Sequence, residues 1–119
     1  MNIEPMLQRI KARPDFSGAG MVLIHNGVVR ATSRDGRKVT GLRVSVDHAR
    51  LASVVSSARE NPGIVAVEVK IAEDRDLSVG DDVMVLIVAG DVRENVLTVL
   101  SETLNAIKTT VTGKTEFFR

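Results

Sequence analysis

Four basic residues stand where this chain could recognise or transform an anion: Arg30, Arg93, Lys108 and Lys114. Arg30 ends an early apolar run, Arg93 opens the last helical pattern, and Lys108 closes that pattern with Lys114 six residues further on. An arginine's planar fork matches carboxylate and phosphate oxygens, and a positioned lysine steadies an anion or a developing oxyanion. The negative end of a helix dipole favours a protonated Lys108, suited to holding charge more than to nucleophilic attack, whereas burial would reverse that preference. Each position also has an ordinary reading, as a solvated strand end or as a complement to the helix dipole.

Other chemistries lack their parts. His25 and His48 are the only histidines, on separate elements and without carboxylates at catalytic spacing, so neither a zinc site nor a triad is expected and both are read as structural. Asp81 and Asp82 are adjacent at a strand entry, and Glu73, Asp74 and Asp76 surround Arg75 in a turn, which reads as solvated acidic loops. None of the glycines at 18, 20, 27, 36, 41, 63, 80, 90 and 113 falls into the phosphate-cradling spacing of a P-loop. With no cysteine there is no disulfide, thiolate metal site or cysteine nucleophile, and neither a metal nor a cofactor is expected.

The 119 residues carry 16 Lys and Arg against 15 Asp and Glu, so no basic field spans the sequence, and three Phe without Trp or Tyr offer little for base stacking. A nucleic-acid partner is not expected. The longest apolar run, Val83 to Ala89, is too short to cross a bilayer, and the first residues lack a signal-peptide layout, so a soluble cytoplasmic protein is expected. A chain of this mass exposes roughly 6,300 Å² when folded, about a third of its extended surface, so a core forms without staples. With no repeat or linker, residues 1–119 are read as one domain.

Pro5 near the start of residues 4–12, with Met6, Leu7 and Ile10 on one face, predicts a short helix that Pro14 stops. From Gly20 an apolar run passes through a Gly27 bulge to Arg30, Ser33-Arg34-Asp35-Gly36 supplies a turn, and Lys38 to Val46 alternates, which predicts a β-hairpin. Asp47 is placed to cap a helix with Leu51, Val54, Val55 and Ala58 on one face, and Ile64 to Ile71 alternates as a strand. Val83 to Val88 has no polar residue and is read as the central strand, buried on both faces. Asp91 and Glu94 suggest a capping box for a helix running to Lys108, while Lys114 to Phe118 is either a short edge strand or a mobile tail. The order predicts an α+β domain with a mixed or mainly antiparallel sheet, two main helices and a short N-terminal helix.

This order resembles the large, catalytic subunit of molybdopterin synthase from about Gly18 to Glu116. The stretch Gly20-Met21-Val22-Leu23-Ile24-His25-Asn26-Gly27-Val28-Val29-Arg30 is similar to the family's early strand, and Leu77-Ser78-Val79-Gly80-Asp81 to its turn before an apolar strand. Ile107-Lys108 matches the end of the family's long helix. The resemblance therefore places the two active-site lysines at Lys108 and Lys114, in Gly113-Lys114-Thr115-Glu116, with the segment between them one residue short. It also differs: Val92 precedes Arg93 where the family has histidine, Val111-Thr112-Gly113 replaces a Pro-aromatic-Trp segment, Ala72-Glu73 approximates an earlier His-Arg pair, and no C-terminal extension follows Arg119.

The resemblance implies a hammerhead-like α+β domain, a homodimer within a heterotetramer, and a small ubiquitin-like sulfur-carrier partner with a C-terminal Gly-Gly thiocarboxylate. It implies transfer of two sulfurs to cyclic pyranopterin monophosphate, a phosphorylated pterin, to form the dithiolene of molybdopterin. Arg30 and Arg93 would bind phosphate or carboxylate, and Lys108, assisted by Lys114, would stabilise charge during acyl transfer. Three readings diverge in what they expect. A synthase subunit has a pocket joining Arg30, Arg93 and Lys108; a non-catalytic paralogue binds carrier or pterin without turnover; a dimeric α+β scaffold does neither.

Overall fold

The computed structural model describes all 119 residues. In chain order it comprises α1 (Glu4–Lys11), a 3-10 turn (Phe16–Gly18), β1 (Met21–Val28), β2 (Val39–Val46), α2 (His48–Arg59) and β3 (Ile64–Ile71). There follow β4 (Asp76–Ser78), β5 (Asp82–Gly90), α3 (Arg93–Ala106), a widened π turn (Ile107–Val111) and β6 (Thr112–Phe118). Two three-stranded sheets result, ordered β1-β5-β3 and β4-β2-β6, and every strand pair is antiparallel. The α+β class holds, with its antiparallel pairing divided between two sheets.

The first sheet is organised by β5, whose residues Val85 to Ala89 are completely buried. The two-residue period of a strand sends Leu86 and Val88 to one face, against Val55 and Ala58 of α2 and Val96 and Val99 of α3. Val85, Ile87 and Ala89 turn to the other face, where Met6 and Ile10 of α1 cover them. Helices on both faces explain why β5 is apolar without alternation. Burying one such side chain contributes roughly 1.5–3 kcal/mol. The second sheet has its own cluster of Val29, Leu42, Val44, Ala72 and Leu77, and Met84, Ile107 and Val111 pack where the two sheets meet.

The expected hairpin between residues 20 and 46 does not form. Its first strand pairs with β5 and its second with β4 and β6, because each finds an apolar partner in a different sheet; an isolated Thr32–Lys38 bridge alone links the two arms. The turn itself is present, with Gly36 at φ +86° and its amide donating to the Ser33 carbonyl at 3.0 Å. The Gly27 bulge is also present, as a register shift between Gly27 and Val28, and the strand ends there short of Arg30. β4 was not foreseen, since three residues carry no periodicity.

At the helix ends, the Asp47 carboxylate accepts from the Arg50 amide at 3.1 Å, as its type and place predict. Asp91 does not form the expected capping box with Glu94. The cap residue is Val92, while the Asp91 carboxylate accepts from the Val92 amide at 2.6 Å and from the Asn95 side chain at 2.9 Å. The expected helix to Lys108 leaves α geometry at Ala106 and continues to Val111 as a π turn. Thr109 and Thr110 sustain it by donating their hydroxyls to the Asn105 and Ala106 carbonyls at 2.8 and 2.6 Å. The tail then pairs along β2 as β6. No helix is long and apolar enough to cross a membrane.

Two substitutions test these packing assignments. Leu86→Ala should lower unfolding free energy by about 3 kcal/mol, measured by urea titration with an unchanged slope. Gly63 has φ +80°, and a Cβ there would collide with the Asp91 carboxylate. Gly63→Ala should therefore cost about 2 kcal/mol, and less in an Asp91→Ala background where only the backbone strain remains; additive costs in the double variant would show the contact to be irrelevant.

Candidate anion-binding cavity between the two sheets

A cavity of about 340 Å³ opens where the sheets meet, lined by residues of β1, β2, β3, β5, the π turn and β6. Its walls are apolar, from Leu42, Val44, Ile71, Val83 and Met84, and three nitrogen-bearing side chains line it as well: His25, Lys108 and Lys114. No carboxylate lines it. Such a volume, mostly apolar with a few convergent polar groups, suits a small ligand or the extended end of a chain.

Each of the three is placed by a different device. Lys108 is the second residue of the π turn, whose flanking Ile107 and Val111 are buried against Met84 and thereby fix the turn to β5. The Asp47 amide donates to the Val111 carbonyl at 2.8 Å, tying the end of that turn to the start of α2. Lys108 forms no ion pair. Lys114 is the third residue of β6, opposite Val44, and its ammonium lies 3.8 Å from Glu116, a loose pair with the lysine about half exposed. Gly113 before it faces Ser45, whose Oγ would lie 2.8 Å from any added Cβ, so a bare backbone is what lets β6 approach β2 there.

His25 lies opposite Leu86 in the β1–β5 register, with Gly27 opposite Met84. A Cβ at Gly27 would come within 3.3 Å of its Nε2, so the imidazole lies along the glycine's bare face. Partial burial first, and the charge of Lys108 second, hold the imidazole below the ordinary histidine range near 6.5, which keeps it neutral at pH 7. His48 is different: it is exposed and bonds Glu73 at 2.9 Å on the surface.

The arginines lie elsewhere in this chain. Arg30 is exposed just past β1, its Nε donating to the Thr32 carbonyl at 2.8 Å, and it does not line the cavity. Arg93 is at the opposite end of α3 from Lys108, fifteen residues or about 22 Å along the helix. There it lies exposed, 3.8 Å from Glu94. One chain thus joins Lys108 with Lys114, and not with Arg30 or Arg93.

His25 was missed as a cavity residue. Its one signal is parity, because Met21, Leu23 and His25 share a strand face and the first two pack against the helices. A second cavity, of about 420 Å³, lies beside Arg75, Asp76, Asp81 and Asp82. Its carboxylates are already used: Asp76 by Arg43 at 3.1 Å, Asp81 by the Ser78 amide at 2.8 Å, and Asp82 by the Met1 amine at 2.6 Å and Asn26 at 3.2 Å.

Comparison with known proteins places this architecture. The family model described as MoaE protein matches residues 2–110. Three solved structures show the same fold. Molybdopterin synthase from Staphylococcus aureus is 19% identical over 100% of this chain and 86% of its own, with a TM-score of 0.78. The Burkholderia multivorans molybdopterin cofactor biosynthesis protein E is 20% identical, over 100% and 82%, with a TM-score of 0.76. A chain in the complex of subunits 1 and 2 of molybdopterin-converting factor from Helicobacter pylori is 16% identical, over 100% and 80%, with a TM-score of 0.73. No curated protein matches by sequence. With a family match over nearly the whole length, the chain belongs to the MoaE family, that of the molybdopterin synthase large subunits.

Proposed function

We propose that this chain, acting as one domain in the cytoplasm, is the catalytic large subunit of a molybdopterin synthase and works with a small sulfur-carrier subunit. The observation that carries the reading is the pairing of Lys108 with Lys114 at an apolar cavity free of carboxylates, in a member of this family. A carrier tail ending in Gly-Gly thiocarboxylate is slender enough for such a space and brings an anion to the two ammonium groups. The thiocarboxylate sulfur attacks a carbon of the phosphorylated pterin and displaces that carbon's oxygen substituent. Water then cleaves the resulting acyl carbon–sulfur bond to return the carrier as its carboxylate and leave the sulfur on the pterin, and two such transfers make the dithiolene. Lys108, without a carboxylate partner, offsets the oxyanion that forms as the acyl carbon is attacked, and Lys114 shares the charge. Metal and cofactor have no part in these steps.

Arg30 and Arg93, outside the cavity and exposed, are assigned to substrate phosphate. A homodimer within a heterotetramer would let one chain's arginine serve its partner's lysines, which the length of α3 prevents within a chain. Exposed apolar side chains at Ile24, Val28, Val92, Leu97, Phe117 and Phe118 are available for such contacts. A second reading, a binding paralogue without turnover, is favoured by one observation: Val92, half exposed at the start of α3, offers no proton-transfer group beside Arg93.

Dithiolene formation from cyclic pyranopterin monophosphate and a thiocarboxylated carrier separates the two. Wild type should turn over, and Lys108→Ala should lose at least about a hundredfold in rate with its fold retained, alanine being a good helix former. Lys114→Ala should lose less, because Glu116 already draws on its charge. Absence of turnover with a folded protein and a carrier that binds would leave the paralogue reading. Carrier affinity should fall in both lysine variants under either reading, checked by titration calorimetry.

A further inference from the structure

The cavity holds one titratable group that the proposed chemistry leaves unused. His25 projects from β1 into the same space as Lys108 of the π turn and Lys114 of β6. These two lysines are the charged groups that line it with His25, and the carboxylate beside them is Glu116, outside the lining and 3.8 Å from the Lys114 ammonium. What β2, β3 and β5 contribute to the lining is apolar, and α2 and α3 contribute nothing. A neutral imidazole beside two cations, in a cavity without a carboxylate, lacks the counter-charge that would let it hold a proton. An anion entering the cavity supplies that counter-charge.

We propose that His25 is the third anion-contacting group of this cavity, taking up a proton as an anionic ligand enters, so that the ligand is captured together with one proton. Occupied, the cavity holds a carboxylate between two ammonium groups and an imidazolium donating from a ring nitrogen. Empty, His25 gives the proton back to solvent, and the repulsion among three cations is avoided. Burial first and the charge of Lys108 second disfavour the imidazolium in the empty cavity, and an entering anion opposes the second of these. The coupling is reciprocal: if an anion raises the midpoint of His25, lowering pH through that midpoint must strengthen anion binding by the same factor. The inference rests on the carrier-tail reading for the identity of the natural anion, and on the cavity alone for the role of His25.

Two histidines make the test direct by NMR. The imidazole resonances of His25 and His48 are followed from pH 5 to 8, without ligand, with a short peptide ending in a Gly-Gly carboxylate, and with the same peptide as its C-terminal amide. The carboxylate should raise the His25 midpoint by about one unit and bind about tenfold more tightly at pH 5 than at pH 8. His48, held by Glu73 on the surface, should not move, and the amide should shift neither. In His25→Phe the pH dependence of peptide affinity should be lost; His25→Gln serves the same purpose while keeping a polar side chain on β1. Peptide binding seen at the Lys108 and Lys114 amides with a stationary His25 midpoint would overturn the proposal and leave the carrier-tail reading intact. If the peptide does not bind, that reading fails, and sulfate against chloride at equal ionic strength decides the proposal: a raised His25 midpoint upholds it, and an unchanged one overturns it.

Discussion

The fold depends on the complete burial of β5. A strand with no exposed side chain between Val85 and Ala89 must be covered on both faces and paired on both edges. α1 covers one face, α2 and α3 cover the other, and β1 and β3 take the edges. With those positions filled β5 accepts no further strand, and β2, β4 and β6 pair among themselves in a second sheet. The cavity that holds His25, Lys108 and Lys114 lies at the seam between the two sheets.

That origin accounts for the character of the cavity. Its walls are apolar because they are the ends of two cores, and its nitrogens come from the second half of β1, the widened turn after α3 and the first residues of β6. An unpaired lysine is tolerated at such a seam because water still reaches it, while the low-dielectric walls make its charge more effective than on an open surface. The acidic cavity beside Asp81 and Asp82 shows the contrast, for there each carboxylate is spent on holding a turn or a terminus.

Much of this was legible from residue order. The unbroken apolar run at Val83 to Val88 announced a central strand, Asp47 announced a helix start, and Gly27 and Gly36 marked a bulge and a turn, because each depends on local geometry. The hairpin was misread because alternation fixes which residues face inward but not which strand lies alongside. Capping at Asp91 was misread because Asn95, not Glu94, competes for its carboxylate. Lys108 and Lys114 stand out by their places at a helix end and on the following segment, whereas His25 needs the topology: 83 residues separate it from Lys108, and nothing in one dimension brings them together.

The π turn also sets a rule of phase for the chain that passes through it. Upstream, residues repeat about every 3.6 positions around α3; downstream, they alternate every second position along β6. The five residues Ile107 to Val111 join those two periods, with Lys108 inside the turn and Lys114 beyond it lining one cavity. Removing or adding one residue between them would send alternate side chains of β6 to the opposite face. Exchanges of side chain in this short stretch should accordingly leave the facing of β6 intact, whereas a change of length there would have to be matched by a compensating bulge in β6 or β2.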